Sequence, residues 1–489
     1  MAQDLIEVRS RKLRELAESG LAVWPERYER THTLEQAMAL REGTQGVRLA
    51  GRLISLRAFG KLTFGHLHDL KGRLQVAFER QTLGEEAHDR LQRFVDIGDF
   101  VGVEGEIFRT RTGELTLRAA SFTFLGKAVR PLPEKWHGLV DIEACYRQRY
   151  LDLIMNEDTR RRFLLRTRVV KALRDAFDAQ GFLEVETPVL TAKASGALAR
   201  PFVSHHRALD MDVFLRIAPE TFLKRLIVGG YDRVYEFARC FRNEGISTQH
   251  LQDFTMLEYY AAYWSHEDSM RFTRELIQRV VSEAMGGLKI RFRGADIDLS
   301  GDWPRVSFGD LLKRDADLEI ARFPQARELL AEVRRRRIPL EAEHPEKLGR
   351  AGLIDAIYKT VSRPKIVQPT FLTGHPIEIS PLARRNDRDP AMVDRFQLLV
   401  GGWEIVNAYS ELVDPFDQRA RLEEQARARA AGDEEAMVME EEYLQAMEHG
   451  MPPISGWGMG IDRFVALLAG EENVKQVVWF PLLKPLPAG

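Results

Sequence analysis

Val234-Tyr-Glu-Phe-Ala-Arg-Cys-Phe-Arg-Asn-Glu-Gly-Ile-Ser-Thr-Gln-His-Leu-Gln-Asp-Phe-Thr-Met-Leu-Glu-Tyr-Tyr260 is the stretch on which the reading of the fold turns. Two apolar, alternating runs flank a polar loop from Asn243 to Asp253, too long for a tight hairpin turn, and long ordered loops are often functional. The period of two predicts paired strands. Strand parity places Phe254, Met256, Glu258 and Tyr260 on one face, with Arg242 sharing phase with Glu244 across the loop. An aromatic ring, two acids and an arginine on one face suit a site that stacks a base, holds an amine and grips a phosphate. An ordinary salt-bridged sheet explains the same alternation, so this segment alone leaves both readings open.

Three neighbouring segments add to it. In Glu404-Ile-Val-Asn-Ala-Tyr-Ser-Glu411, a regular strand puts Asn407, Tyr409 and Glu411 on one face. Glu404 is out of phase with them unless Gly401-Gly402 permits a bulge. Polar groups left unpaired in an apolar sheet cost about 1–3 kcal/mol each, which favours a ligand or metal as their partner. Gly456-Trp-Gly-Met-Gly-Ile-Asp-Arg463 leads into the apolar run Phe464 to Leu468, and its glycines allow close backbone approach to a ligand. No βαβ unit follows, so a dinucleotide-binding loop fails on context. Gly181-Phe-Leu-Glu-Val-Glu-Thr-Pro188, after a helical pattern over Arg166 to Ala179, reads as a helix stop and a strand ended by proline, which taken alone is a packing element.

Ahead of this α+β region lies a β-rich stretch from Val47 to Leu125. Leu74, Val76 and Phe78 alternate with Arg73, Gln75 and Ala77; turns are expected at Asp69 to Gly72 and at Thr112-Gly113, with one helical interruption over Glu85 to Phe94. Short strands in that arrangement fit a small barrel such as an OB-fold. Asp4 to Ser19 reads as a charged helix stopped by Gly20, and the Pro-containing segment Arg130 to His137 as a hinge. The expected organisation is a helical extension (1–30), a barrel (31–128), a hinge (129–158) and a large α+β domain (159–489). Within the last, about 266–350 reads as a helix-rich insertion or peripheral layer, and its arginines 334–337 as a solvated helix face.

Bulk properties bound the function. The 489 residues exceed what one core organises, and 44% hydrophobic with 29% charged residues is an ordinary globular balance. A net charge of −2, from 71 basic and 73 acidic residues, means that any nucleic-acid contact needs a local basic face. Two cysteines, Cys145 and Cys240, are too few for a disulfide framework or a zinc site. With no apolar run near the roughly 20 residues that span a bilayer and no apolar leader, a cytoplasmic protein without a membrane partner is expected.

Taken together the segments resemble the three motifs of class II aminoacyl-tRNA synthetases: motif 1 ending at Pro188, motif 2 at Phe241 to Glu244 with His250 and Phe254, and motif 3 ending at Arg463. The order of motifs behind an OB-like domain resembles the subclass for Asp, Asn and Lys. Arg130-Pro-Leu-Pro133, Tyr146-Arg-Gln-Arg-Tyr-Leu-Asp-Leu153, Leu215-Arg-Ile-Ala-Pro-Glu220 and Ser380-Pro-Leu-Ala-Arg-Arg-Asn-Asp387 are similar to the bacterial-type lysyl enzymes. The resemblance covers nearly the whole chain. It implies an OB-fold barrel for anticodon binding, a catalytic domain with an antiparallel β-sheet flanked by helices, and a homodimer built on motif 1. Three acids, Glu220, Glu258 and Glu411, suit a cationic amino acid, because buried like charges without a cation become protonated.

By the same resemblance the substrates are lysine, ATP with Mg²⁺, and tRNA-Lys. Arg242 and Arg463 are the catalytic arginines, gripping the α- and γ-phosphates. Phe254 stacks on adenine, with Glu244 near the base and His250 near the phosphates. Glu404 and Glu411 are the implied metal ligands. Glu258 and Glu411 hold the lysine ε-ammonium, helped by Tyr260, Asn407 and Tyr409, while Gly196 and Glu220 receive the α-amino end. Phe64, Gln75 and Glu114 match anticodon-reading positions, with plain barrel packing the alternative for Phe64. Four positions depart from the family pattern: Gln249 for Arg, Gln397 for a metal-binding Glu, Tyr409 for Phe, and Leu198 for a small polar residue. They keep two alternatives in view, a paralogue that adenylates lysine or a related amino acid for another acceptor, and a non-catalytic tRNA-binding protein.

Overall fold

The computed structural model describes residues 2–19, 22–133, 139, 141–193, 196–197, 199–342, 344–430 and 437–486. The expected helix stop at Gly20, the Glu134 to His137 part of the hinge, and Leu198 lie outside the described residues. The chain forms two compact units, residues 1–160 and 161–489.

In the first unit five strands, β1 (Val47–Phe59), β2 (Leu62–His68), β3 (Arg73–Glu79), β4 (Phe100–Arg109) and β5 (Leu115–Gly126), close into a barrel of order β1-β2-β3-β5-β4. Alternation fills it: Leu49, Leu53, Leu67, Val76, Phe78 and Val103 are wholly buried. Ala77, expected on the outer face, is buried as well, beneath the parallel β3–β5 pairing. Asp69 makes the first turn by accepting the amides of Lys71 and Gly72. The helix Ala2–Glu18 does not stand apart as an extension. Leu16 joins the barrel core, Lys12 pairs with Asp96 at 2.7 Å, and Arg9 reaches the Ala128 carbonyl at 2.8 Å. Where a hinge was expected, the helices Ile142–Arg147 and Arg149–Met155 form, because the buried Arg149–Asp152 pair gives the segment packing of its own.

The second unit contains β6 (Leu183–Glu184), β7 (Leu190–Thr191), β8 (Val203–His206), β9 (Met211–Leu215), β10 (Arg233–Phe241), β11 (Asp253–Ala262), β12 (Lys289–Phe292), β13 (Ala295–Asp298), β14 (Arg305–Ser307), β15 (Thr370–Pro376), β16 (Met392–Val400), β17 (Trp403–Ser410) and β18 (Ile454–Gly460). Eight of them make one sheet in the order β14-β15-β16-β17-β18-β11-β10-β6. Its six central strands are antiparallel, as expected, but both outermost pairings, β14–β15 and β10–β6, are parallel. One face is covered by the helices Glu157–Ala179, His266–Met285 and Ile461–Ala469, whose Phe177, Leu276 and Val465 share a core with Leu257, Tyr259 and Trp457. The helix His266–Met285 is therefore part of the main core, because its apolar stripe is needed to cover the sheet, whereas a peripheral layer was expected from residue 266 onward. A separate cluster forms further on around Phe308, Leu329 and Ile354. Of the arginine run, Arg335 and Arg336 pair with Glu332 on the outer side of the helix Ala326–Arg336.

Candidate active site

The uncovered sheet face carries a cleft of about 330 Å³, and strand register decides what lines it. β18 runs between β11 and β17, and its Gly456, Gly458 and Gly460 point into the cleft while Trp457 and Met459 enter the core. Gly458 lies opposite Glu258 on one side and Asn407 on the other; Gly456 lies opposite Tyr260 and Tyr409. The glycines thus form a floor without side chains between two polar rows. Gly456 has to be glycine, since a Cβ there would collide with Glu411 Oε1 and the Tyr260 ring.

The two glycines 401 and 402 form the turn between β16 and β17, both at positive φ, rather than the bulge. The bulge is three positions beyond Gly402. Leu398 pairs with Val406 and Leu399 with Glu404, which leaves Ile405 as the extra residue and turns Glu404 onto the cleft face. There Glu404 Oε2 accepts from Gln397 Nε2 at 2.7 Å, and Gln397 Oε1 accepts from the Tyr358 hydroxyl at 3.3 Å.

One end of the cleft is cationic. Arg242 follows β10 directly; its guanidinium lies 5.2 Å from the Phe254 ring centre, and its Nε is buried with no acceptor. Arg463, in the first turn of the helix after β18, donates to the Gln249 carbonyl at 3.2 Å, a backbone contact independent of the side chain at that position. His250 sits in this wall with its Nδ1 2.7 Å from Ser247 Oγ. Partial desolvation in the cleft wall, then the nearby Arg463, Arg363, Lys359 and Arg242, hold its pKa down to about 4 although the ring keeps solvent contact. Glu244 lines the same end. Arg363 and Lys359 were missed by sequence reasoning, because they come from a segment with no motif and reach the site only through the fold.

The other end is acidic. Glu220 opens the helix Glu220–Val228 beside Gly196, whose Cβ would press on Glu220 Cβ at 3.3 Å. Glu258 is buried and accepts from the Tyr260 hydroxyl at 3.3 Å. Burial, then the charge of Glu220, pushes the Glu258 carboxyl up to about 8 against the pull of Arg242. The Tyr409 hydroxyl, the departure from phenylalanine, donates to Glu220 Oε1 at 3.0 Å. Arg395, also unanticipated, fixes Asn407 through a 2.8 Å bond from Nε to Oδ1. The expected metal pair needs correction. Glu411 lies seven positions beyond Glu404, just past the end of β17 and roughly 20 Å of extended chain further on, and its Oε2 is 2.6 Å from the buried Lys224 ammonium. No cluster of three His, Cys, Asp or Glu side chains able to hold a metal occurs among the described residues.

On the barrel, Gln75 Nε2 donates to Glu114 Oε2 at 2.8 Å, and His66 Nε2 is 3.0 Å from Glu114 Oε1. Phe64 is half-buried and meets Phe59 edge-on at 6.4 Å, outside the barrel core. His66 was missed, although its phase matches Phe64.

Residues 141–484 match the family described as tRNA synthetases class II (D, K and N), and residues 47–125 match an OB-fold nucleic acid binding domain. A lysine–tRNA ligase of Pelotomaculum thermopropionicum is 46% identical over 484 residues, 99% of this chain and 95% of that protein. That of Aquifex aeolicus is 45% identical over 443 residues, 90% of this chain and 73% of its own length. That of Staphylococcus haemolyticus is 42% identical over 492 residues, 98% of each.

His250 binds its proton less readily folded than unfolded, so whatever stability it contributes is present above about pH 6.5 and lost as pH falls towards about 4. Its imidazole resonances followed by NMR are expected to titrate near pH 4 in the empty protein and to move upward when a triphosphate is added; a midpoint near 6.5 would remove the cationic environment assigned to it.

Proposed function

This chain belongs to the class II aminoacyl-tRNA synthetase family for aspartate, lysine and asparagine, and we propose that within it the chain acts as a lysine–tRNA ligase. The observation that carries the reading is the charge partition of one cleft, with arginines and a neutral histidine at one end and Glu220 and Glu258 at the other. Full-length relatives named lysine–tRNA ligase agree with it. Aspartate or asparagine would meet carboxylates where a basic or amide-reading pocket is required.

In this reading the lysine ε-ammonium lies at Glu258 and Tyr260 and the α-amino group at Glu220 and Gly196, with Asn407 held by Arg395 near the carboxylate. Adenine stacks on Phe254, and the buried, unsatisfied Nε of Arg242 finds its acceptor on the α-phosphate. Arg463 takes the γ-phosphate. The lysine carboxylate oxygen attacks the α-phosphorus in line, the bond to the β-phosphate oxygen breaks, and pyrophosphate leaves. The tRNA 3′-terminal hydroxyl then attacks the lysyl carbonyl and AMP departs. The rate arises from positioning and from fixed positive charge at the phosphate oxygens, with no covalent role for the protein. Glu404 would help to hold Mg²⁺, which when bound would neutralise phosphate charge. Glu404, a single hard carboxylate amid phosphate oxygens, suits that ion. Gln397 offers an amide already committed to Glu404.

Phe64, Gln75 and Glu114, joined by His66, form the surface we assign to anticodon bases, by stacking and edge hydrogen bonds. A barrel of this kind favours tRNA over a protein acceptor, and we place the enzyme in the cytoplasm with its tRNA. No described helix is long and apolar enough to cross a membrane. We also assign a homodimer to the edge at β6. Leu183, Val189 and Leu190 are exposed there, as is Val203 on β8, and an apolar group at a strand edge asks for cover.

Lysine-dependent ATP–pyrophosphate exchange and charging of tRNA-Lys are expected, and Arg242→Ala should abolish the exchange; response to another amino acid, or exchange without charging, would sink the assignment. The lysine KM should fall by up to about tenfold per pH unit between pH 6 and 8, where Glu258 loses the proton that it holds in the empty site, and Glu258→Gln should flatten that profile. The same proton stabilises the empty fold below about pH 4.5, and that stability is lost as pH rises through about 8. Light scattering should give twice the 56.0 kDa chain mass, shifting towards one chain in Leu183→Glu/Leu190→Glu.

A further inference from the structure

Beneath the acidic end of the cleft lies a residue that no motif singled out. Lys224 is wholly buried, and lysine is almost never so unless paired. Its Nζ is 2.5 Å from Glu220 Oε1, one turn back on the same helix, and 2.6 Å from Glu411 Oε2 on the strand side. The rings of Tyr260, Tyr409 and Tyr443 surround it with centres 5.6–5.8 Å away, within the range of cation–π attraction. Carboxylates and aromatic faces of this kind are what the pocket is proposed to offer its substrate, and here an internal ammonium already occupies one such cage. Burial opposes the Lys224 charge, but Glu220 and Glu411 outweigh it and hold its pKa well above the ordinary range.

A charge count follows. Three acids converge here, Glu220, Glu258 and Glu411. Nearby Glu236 is already neutralised by Arg216 at 2.6 Å, and Glu440 lies 3.6 Å from Arg225. Subtracting the one ammonium of Lys224 from the three carboxylates leaves two negative charges. Lysine brings two ammonium groups. We propose that Lys224 is a specificity-determining positioning residue, an internal counter-ion that ties Glu411 and part of Glu220 and so leaves a pocket matched to a substrate with two ammonium groups. It does not line the cleft, so it acts through the acids that it holds. Glu411 in turn stands beside Gly456 with Oε2 turned to Lys224 and Oε1 buried without a hydrogen-bond partner, so Lys224 orients the carboxylate that the resemblance places at the ε-ammonium. The inference rests on the lysine reading given above.

The test uses the full-length protein and two variants, Lys224→Met and Lys224→Met/Glu411→Gln, the second restoring the count of two. Lysine KM and kcat are read from pyrophosphate exchange, and protons released on lysine binding from calorimetry at pH 7 in buffers of different ionisation enthalpy. Lys224→Met should raise the lysine KM about tenfold or more with a smaller change in kcat, and release about one extra proton, because the unmatched acid is protonated until lysine arrives. The double variant should recover most of the affinity and the original proton count. Unchanged KM and proton release in Lys224→Met would overturn the proposal, as would a folded double variant no better than the single. If the single variant does not fold, the double decides: folded and lysine-binding supports the proposal, while unfolded, or folded without lysine binding, rejects it. Absence of lysine-dependent exchange in the unaltered protein would instead reject the functional reading beneath it.

Discussion

The register of β18 between β11 and β17 is the constraint on which the rest depends. Hydrogen bonding sets Gly458 between Glu258 and Asn407, and Gly456 between Tyr260 and Tyr409. A slip of one residue would send Trp457 and Met459 into the cleft and turn the glycines towards the core, so burial of those apolar side chains enforces the register. The glycines then admit what a Cβ would exclude. Glu411 occupies the volume beside Gly456, and the floor stays open for a substrate backbone. Core packing on one face and site geometry on the other are two readings of the same alternation.

Electrostatics divide the resulting cleft. Desolvation, then the charges of Arg463, Arg363, Lys359 and Arg242, keep His250 neutral, while burial, then Glu220, keeps Glu258 protonated in the empty protein. Each end is stabilised by the charge its ligand would bring, the triphosphate at one and the ammonium groups at the other. A single amino-acid zwitterion and ATP can therefore be oriented by field as well as by shape. Lys224 fits the same logic from inside, since three buried carboxylates with no cation would be costly and largely protonated.

In the second unit, the described residues that depart from the family pattern have structural partners. Tyr409 spends its extra hydroxyl on Glu220, Gln397 bridges Tyr358 and Glu404, and Gln249 offers Arg463 its backbone carbonyl. On the barrel, Gln75 and Glu114 are joined to each other, and His66 extends that polar row. Unpaired polar atoms remain where a ligand is expected, as at Arg242 Nε.

Local pattern alone determined the barrel strands, the long loop between β10 and β11, the helix Glu85–Phe94, and the common face of Phe254, Glu258 and Tyr260, because a period of two and turn chemistry act between near neighbours. Resemblance to the synthetase family pointed to Arg242, His250, Asn407 and Arg463 as parts of one site, and all four line one cleft. What only the tertiary structure decided were relations between distant segments. The bulge at Ile405 turned Glu404 inward, and Lys224, 187 positions before Glu411, claimed that acid and removed it from any ion shared with Glu404. The helix His266–Met285 proved to be core rather than periphery, because the sheet face opposite the cleft had to be covered. Pairings of this kind depend on which chain segments meet, and no alternation within one segment records them.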